Sequence, residues 1–298
     1  MIEDGRERRR LNVLREQPFP AYVVWELTLR CDHACTHCGS RAGVAREREL
    51  STDEAMRVVG ELAELGAREV ALIGGEAYLH GGFLAIVRAL TERGIGAALV
   101  TGGRGITEEL ARELAAAGLT QASVSIDGLE ATHDRMRNLR GSWRAAMTAL
   151  DRLHAAGIAT ASNINLNRTN HADLEALYAE LRARGIRAWQ IQLTAPLGRA
   201  ADRPEMLLQP WQLVEVVPRL AALKQRARAD GITITPGNNL GYFGPEEVLL
   251  RSIDAGDRDH WQGCQAGRFV MGIEADGGVK GCPSLQSAPY VGGNLRER

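Results

Sequence analysis

From residue 20 onward, short apolar runs alternate with stretches whose apolar positions recur every three or four residues, at intervals of roughly 25–40 residues. The runs Val23–Leu29, Glu69–Ile73, Ala97–Thr101, Gln121–Ile126, Ile158–Ile164 and Ala188–Leu193 read as strands, and the periodic stretches between them as helices. Helix starts are marked by the capping box of Ser51 with Glu54 and by Thr107 ahead of Glu108 and Glu109. Gly66, Gly94, Gly118, Gly157 and Gly185 each close a helix just before the next strand, as left-handed C-terminal caps do. A βα rhythm with right-handed crossovers predicts an α/β fold, a partial (β/α)6 TIM-like barrel with its functional loops at the C-terminal strand ends. A longer helix starting at Pro210 and running towards Arg228, kinked near Pro218, leaves that rhythm. Beyond Ile232–Thr235 the Gly-, Asn- and Pro-containing stretch from Pro236 to Pro245 reads as a boundary. Phe269–Ile273 and Val279–Gly281 around Asp276-Gly277 then predict a small β-hairpin module. The expected division is a lead at 1–20, a barrel at 21–235 and a C-terminal module at 236–298.

Composition narrows the class. The 298 residues are 45% hydrophobic, and no apolar run approaches the ~20 residues of a membrane span. A formal net charge of −1 provides no basic field for nucleic acid. Lys224 and Lys280 are the two lysines among 36 basic residues, a bias we read as genomic. The charged start, Met1 to Arg15, has no apolar core of a secretory signal. A cytoplasmic protein, with neither a membrane nor nucleic acid as partner, is expected.

Of the five cysteines, three fall in one loop after the first strand, Cys31-Asp32-His33-Ala34-Cys35-Thr36-His37-Cys38. Three thiolates at C-x3-C-x2-C spacing can wrap one inorganic centre and leave it a ligand short. An iron–sulfur cube held this way keeps an open iron for a substrate or cofactor. Zinc, completed by His33 or His37, requires all ligands from one short loop, whereas structural zinc takes paired ligands from two knuckles. A disulfide suits three cysteines within eight residues poorly.

The Cys loop, followed one βα unit later by Gly74-Gly75-Glu76, resembles the radical S-adenosylmethionine (SAM) enzymes over roughly residues 20 to 200. The resemblance implies that Cys31, Cys35 and Cys38 ligate a [4Fe–4S] cluster whose fourth iron binds the methionine part of SAM. It places Gly74, Gly75 and Glu76 near the SAM ammonium, although Ala77 stands where the family often has proline. Ser125 and Asp127, closing strand four, are implied as ribose or methionine contacts, and Arg140 before Gly141 as a carboxylate contact. Asn163 and Asn165 on strand five, with Gln190 and Gln192 on strand six, are polar at period two, so each pair shares a face suited to SAM or substrate. We take Asn163 and Gln192 as the candidates. Asp127, His80 and Tyr78 are unranked candidates for proton handling, and no catalytic residue is assigned.

Cys264 and Cys282-Pro283, with Gly277 between them, resemble the opening of the SPASM or Twitch extension of that family. This implies that Cys264 and Cys282 ligate an auxiliary iron–sulfur cluster. The family pattern continues into further cysteines that this sequence lacks before Arg298, so the resemblance implies an incomplete extension. The implied function is a radical SAM maturase acting on a ribosomal peptide or protein. The alternatives are a tetrapyrrole or haem-pathway enzyme of the same family and a non-catalytic iron–sulfur homologue. A flavodoxin or ferredoxin is the implied electron donor.

Overall fold

The computed structural model describes residues 17–241, 244–252, 263–285 and 287–297. Most of the expected N-terminal lead, and positions 242 and 243 of the boundary loop, lie outside them. Strands β1 (Tyr22–Glu26), β2 (Glu69–Ile73), β3 (Gly96–Thr101), β4 (Gln121–Ser125), β5 (Ala159–Leu166), β6 (Ala188–Leu193) and β7 (Thr233–Pro236) lie side by side in chain order, every pair parallel. The connections carry α1 (Thr52–Glu64), α2 (Phe83–Glu92), α3 (Glu108–Ala116), α4 (Glu130–Arg137), α5 (Ser142–Ala155), α6 (Leu174–Ala183) and α7 (Pro210–Ala229), and α8 (Glu247–Arg251) follows β7. Strand β8 (Val270–Ile273) pairs in parallel with the far side of β1. The antiparallel β9 (Gly278–Lys280) and β10 (Val291–Asn294) complete one open ten-stranded sheet.

The partial barrel is thus as expected, with one more unit than the six strands read from the sequence. Strand β7 spans four residues and ends in Pro236, so its pattern is too short to separate from a loop. The first strand stops at Glu26 instead of Leu29. There the Glu49 carboxylate accepts from Thr28 Oγ1 and Leu29 N at 2.7 Å each and turns the chain out of the sheet. The C-terminal hairpin shares the barrel's sheet, and a partly buried charge cluster joins the two: Arg46 bonds Glu26 at 2.9 Å and reaches Glu274 at 3.6 Å, and Glu274 accepts from Lys280 at 2.7 Å.

The two faces of the sheet differ. Val23, Trp25, Val70, Leu72, Leu99, Val124, Ile164, Leu166, Trp189 and Ile191 pack under the helices, against residues such as Val59, Ile86, Leu114, Leu150 and Leu177. The intervening positions of β4, β5 and β6 are half-buried and include Ser123, Ser125, Asn163, Asn165, Gln190 and Gln192. All five predicted glycine caps have positive φ, between 70° and 90°. The Ser51 capping box is complete, Glu54 N donating to Ser51 Oγ and Ser51 N to Glu54 Oε2. Substituting Ser51→Ala should therefore destabilise the fold by about 1 kcal/mol, read as a lower denaturant midpoint with unchanged slope.

Candidate active site

The Cys loop leaves β1 at the C-terminal edge of the parallel sheet and is fixed from four directions. Cys31 N donates to Gly43 O at 3.2 Å and Gly43 N to Leu29 O at 2.9 Å, which closes the loop on itself. Thr36 donates through both N (2.8 Å) and Oγ1 (2.9 Å) to Met136 O, tying it to the end of α4. Arg199 straps it from beyond β6, Nε donating to Cys35 O at 2.7 Å, Nη1 to Ala42 O at 3.0 Å and the backbone N to Cys38 O at 2.9 Å. The fourth anchor is the end of β2, where Gly75 N donates to Thr28 O and Glu76 N to Arg30 O, both at 2.8 Å. That approach is close enough that a Cβ on Gly75 would lie 2.1 Å from Arg30 O. The glycine pair thus admits the backbone of the Cys loop.

Each of the three sulfurs accepts one N–H bond. Cys31 Sγ receives His33 N at 3.4 Å, Cys38 Sγ receives Ala42 N at 3.3 Å, and Cys35 Sγ receives the Arg137 guanidinium at 3.6 Å. Burial pushes the Cys31 thiol up to about 12, and burial also raises Cys35, despite the opposing Arg137 charge. Without a bound cation these two would be neutral thiols, and metal ligation requires the thiolate. Three soft donors within eight residues, each pre-aimed at an N–H, fit an iron–sulfur cluster. Zinc would require His33 or His37 as a fourth ligand. His37 Nε2 is already 3.2 Å from Asp127, and His33 Nδ1 is 2.8 Å from Asp32, which leaves His33 Nε2 buried with no partner.

The other predicted residues distribute as follows. Glu76 is 2% exposed and accepts from Thr101 Oγ1 and Gly102 N at 2.6 Å each, so its carboxyl holds the end of β3. Burial pushes it up to about 7. Glu76 also lies within 4.8 Å of ligand atoms of Cys31, Asp32 and His33. Tyr78 donates to Asp32 at 2.7 Å, and burial raises its phenol. His80 is tied to Leu50 O and Gly82 N. Ser125, Asn163 and Gln190 are cross-strand neighbours in register, as are Asn165 and Gln192, all on the face away from the helices. Both polar pairs therefore point the same way, a wall of small and amide side chains beside the Cys loop's edge of the sheet.

Asp127 is fully buried, and its carboxylate engages Arg137 at 2.6 Å, His37 at 3.2 Å and Asn165 N at 2.9 Å. Despite the opposing burial, the neighbouring cations hold it well below the usual carboxylate range. Arg140 is exposed, and the adjoining Gly141, φ 82°, donates to Asp134, which caps α5. The buried arginine of this segment is Arg137, which the sequence reading missed. The signal was available: His133, Met136 and Arg137 share one face of α4 at i, i+3 and i+4.

Around the second constellation, Gly267 N donates to Gly281 O at 3.0 Å, and a Cβ on Gly281 would lie 3.0 Å from Gly267 Cα. This crossing brings the segments after Cys264 and before Cys282 together. Cys264 is exposed and Cys282 half-buried, both free. Among the described residues, no helix is long and apolar enough to cross a membrane.

The Radical SAM superfamily profile matches residues 25–181. An AdoMet-dependent heme synthase of Nitratidesulfovibrio vulgaris is 28% identical over 89% of this chain and 74% of its own. The mycofactocin maturase MftC of Mycolicibacterium smegmatis is 31% identical over 93% of this chain and 67% of its own. In fold, Streptococcus suis SuiB bound to S-adenosylmethionine superposes with a TM-score of 0.76 at 14% identity, covering 94% of this chain and 64% of SuiB. The enzyme anSMEcpe with bound AdoMet and a Cp18Cys peptide gives 0.69 at 18%, covering 94% of this chain and 79% of its own. With a family profile spanning more than half of its length and a maturase 31% identical across nearly all of it, the chain belongs to the radical SAM superfamily.

Proposed function

We propose that this protein is a peptide- or protein-modifying radical SAM enzyme. Cys31, Cys35 and Cys38 would hold a [4Fe–4S] cluster with one iron open for SAM. The observation that carries this reading is the loop itself: three free sulfurs, each with an N–H donor, at the C-terminal sheet edge beside a polar wall. A cluster held there, once reduced by an external electron donor, would supply one electron to the SAM sulfonium, whose C–S bond would then break to give methionine and a 5′-deoxyadenosyl radical able to take hydrogen from the substrate. The protein's part is positional. Arg199, Met136 O and the Gly74–Gly75 approach hold the loop; Ser125, Asn163, Gln190, Asn165 and Gln192 offer donors and acceptors to SAM and substrate. The backbone at Gly74–Glu76 would receive the SAM ammonium, since the Glu76 carboxyl is engaged by Thr101 and Gly102.

Peptide chemistry is supported by the likeness to MftC, 31% identical over 93% of this chain, and by the fold shared with SuiB, whose structure bound to the precursor peptide SuiA is known. The heme synthase relatives support tetrapyrrole modification as a second reading. Cys264 and Cys282 would supply two ligands of an auxiliary cluster in a C-terminal module of residues 236–298, following the barrel of 21–235. A flavodoxin or ferredoxin would deliver the electron, in the cytoplasm. The test is anaerobic incubation of reconstituted protein with SAM and dithionite, with or without a candidate precursor peptide or an iron tetrapyrrole. Stimulation of 5′-deoxyadenosine formation by peptide is expected. Stimulation by the tetrapyrrole alone would select the second reading, and no 5′-deoxyadenosine under any condition would overturn both.

A further inference from the structure

Two of the three N–H contacts to the Cys-loop sulfurs come from the backbone, His33 N on Cys31 and Ala42 N on Cys38, whose sulfur also lies 3.7 Å from Ser40 Oγ. The third is different in kind, because Cys35 Sγ receives a guanidinium, Arg137 Nη1 at 3.6 Å. The Arg137 side chain is 10% exposed and sits between two acids, the Cys35 thiol on one side and the Asp127 carboxylate, 2.6 Å from Nη2, on the other. Asp127 is itself held by Asn165 N at 2.9 Å and His37 Nε2 at 3.2 Å, and its backbone O accepts from Asn170 Nδ2 at 2.9 Å. His37 lies within the Cys loop, so the network returns to the segment it started from. A buried cation shared between a carboxylate and a sulfur divides its field between them, and charge and hydrogen bonds at cluster sulfurs set reduction potential.

We propose that Arg137 is a positioning residue that raises the reduction potential of the cluster through Cys35, and that Asp127 limits this effect by sharing the same charge. The inference rests on the reading of Cys31, Cys35 and Cys38 as cluster ligands. It makes predictions of opposite sign for two neighbouring variants. Arg137→Gln removes the positive donor and should lower the potential, whereas Asp127→Asn leaves the guanidinium to the sulfur alone and should raise it. A purely structural role for the pair gives no such reversal, since loosening the same loop acts in one direction for both.

The experiment is an EPR-monitored redox titration of reconstituted wild-type, Arg137→Gln and Asp127→Asn proteins, each carrying Cys264→Ser and Cys282→Ser so that one cluster is read. The expected result is about a tenfold change in the reduction equilibrium in each direction, about 59 mV for a one-electron couple. Equal potentials, or shifts of the same sign, in variants holding wild-type iron would overturn the inference. A wild-type protein with no iron–sulfur signal would instead overturn the ligand reading beneath it. Should both variants fail to hold iron, protein carrying ¹⁵N-labelled arginine and no substitution in this network decides the matter. The reduced cluster should then show a hyperfine coupling to arginine nitrogen, and its absence overturns the inference.

Discussion

Replacing Cys31, Cys35 or Cys38 singly with alanine should abolish iron retention at the first loop and reduce 5′-deoxyadenosine formation to the level seen without protein. Three protein ligands already leave the centre one short of closure, so a variant has two thiolates, too few to fix a cubane against loss to solvent. Burial makes the effect steeper, because Cys31 is pushed up to about 12 and Cys35 is raised, so in the empty loop both are protonated at neutral pH. The metal must displace those protons, and loading should weaken as the pH falls. The apo-fold should survive each change, since the loop is also held by Arg199, Met136 O and the end of β2. Far-ultraviolet circular dichroism beside iron analysis separates the outcomes: a folded variant that retains wild-type iron with Cys264 and Cys282 substituted would remove that cysteine from the ligand set.

Gly75→Ala should be the most disruptive substitution outside the cysteines. Its Cβ would meet Arg30 O at 2.1 Å and Leu29 O at 2.7 Å, both backbone atoms of the segment entering the Cys loop. Neither can swing aside as a side chain would, so the end of β2 and the loop must separate and lose Gly75 N to Thr28 O and Glu76 N to Arg30 O. Overpacking of this kind costs about 3 kcal/mol, and the displacement falls on the segment preceding Cys31. Chemical denaturation and iron content, measured on the same preparation, should both fall. A variant of wild-type stability and iron content would show that the close approach at Gly75 does not position the loop. Gly60→Ala, inside α1 with nothing within 4 Å of its Cβ, is the contrasting control: it should leave iron content unchanged and raise stability by about 1 kcal/mol.

These two effects bracket what was legible in the sequence. The βα rhythm was readable because α1, α2, α3, α5 and α6 each end before a glycine with positive φ, and α1 and α3 start from the side-chain caps Ser51 and Thr107, local chemistry that survives without tertiary context. Strand β7 was lost because a four-residue strand ending in proline has no period to measure. Period two grouped Asn163 with Asn165 and Gln190 with Gln192 but could not say which face looks outward; the register of β5 against β6 decides that. Glu76 and Asp127 were found as residues, yet their carboxylates serve Thr101, Gly102, Arg137 and His37, partners 25, 26, 10 and 90 positions away that no motif spacing indicates. In so arginine-rich a chain, Arg137 and Arg140 are alike by type, and position separates them: Arg137 shares one face of α4 with His133 and Met136, and that face is buried. The Arg199 strap carried no sequence signal, since it acts by donating to backbone carbonyls.

The central claim is that Cys31, Cys35 and Cys38 hold one [4Fe–4S] cluster with an iron open to SAM. Its most direct test is the EPR spectrum of the reduced Cys264→Ser/Cys282→Ser protein recorded with and without SAM. The account predicts a [4Fe–4S]⁺ signal in that variant whose g-values change when SAM is added, with both signal and change absent once Cys31→Ala is introduced. A cluster signal that SAM leaves unaltered, or one that persists without Cys31, would contradict it.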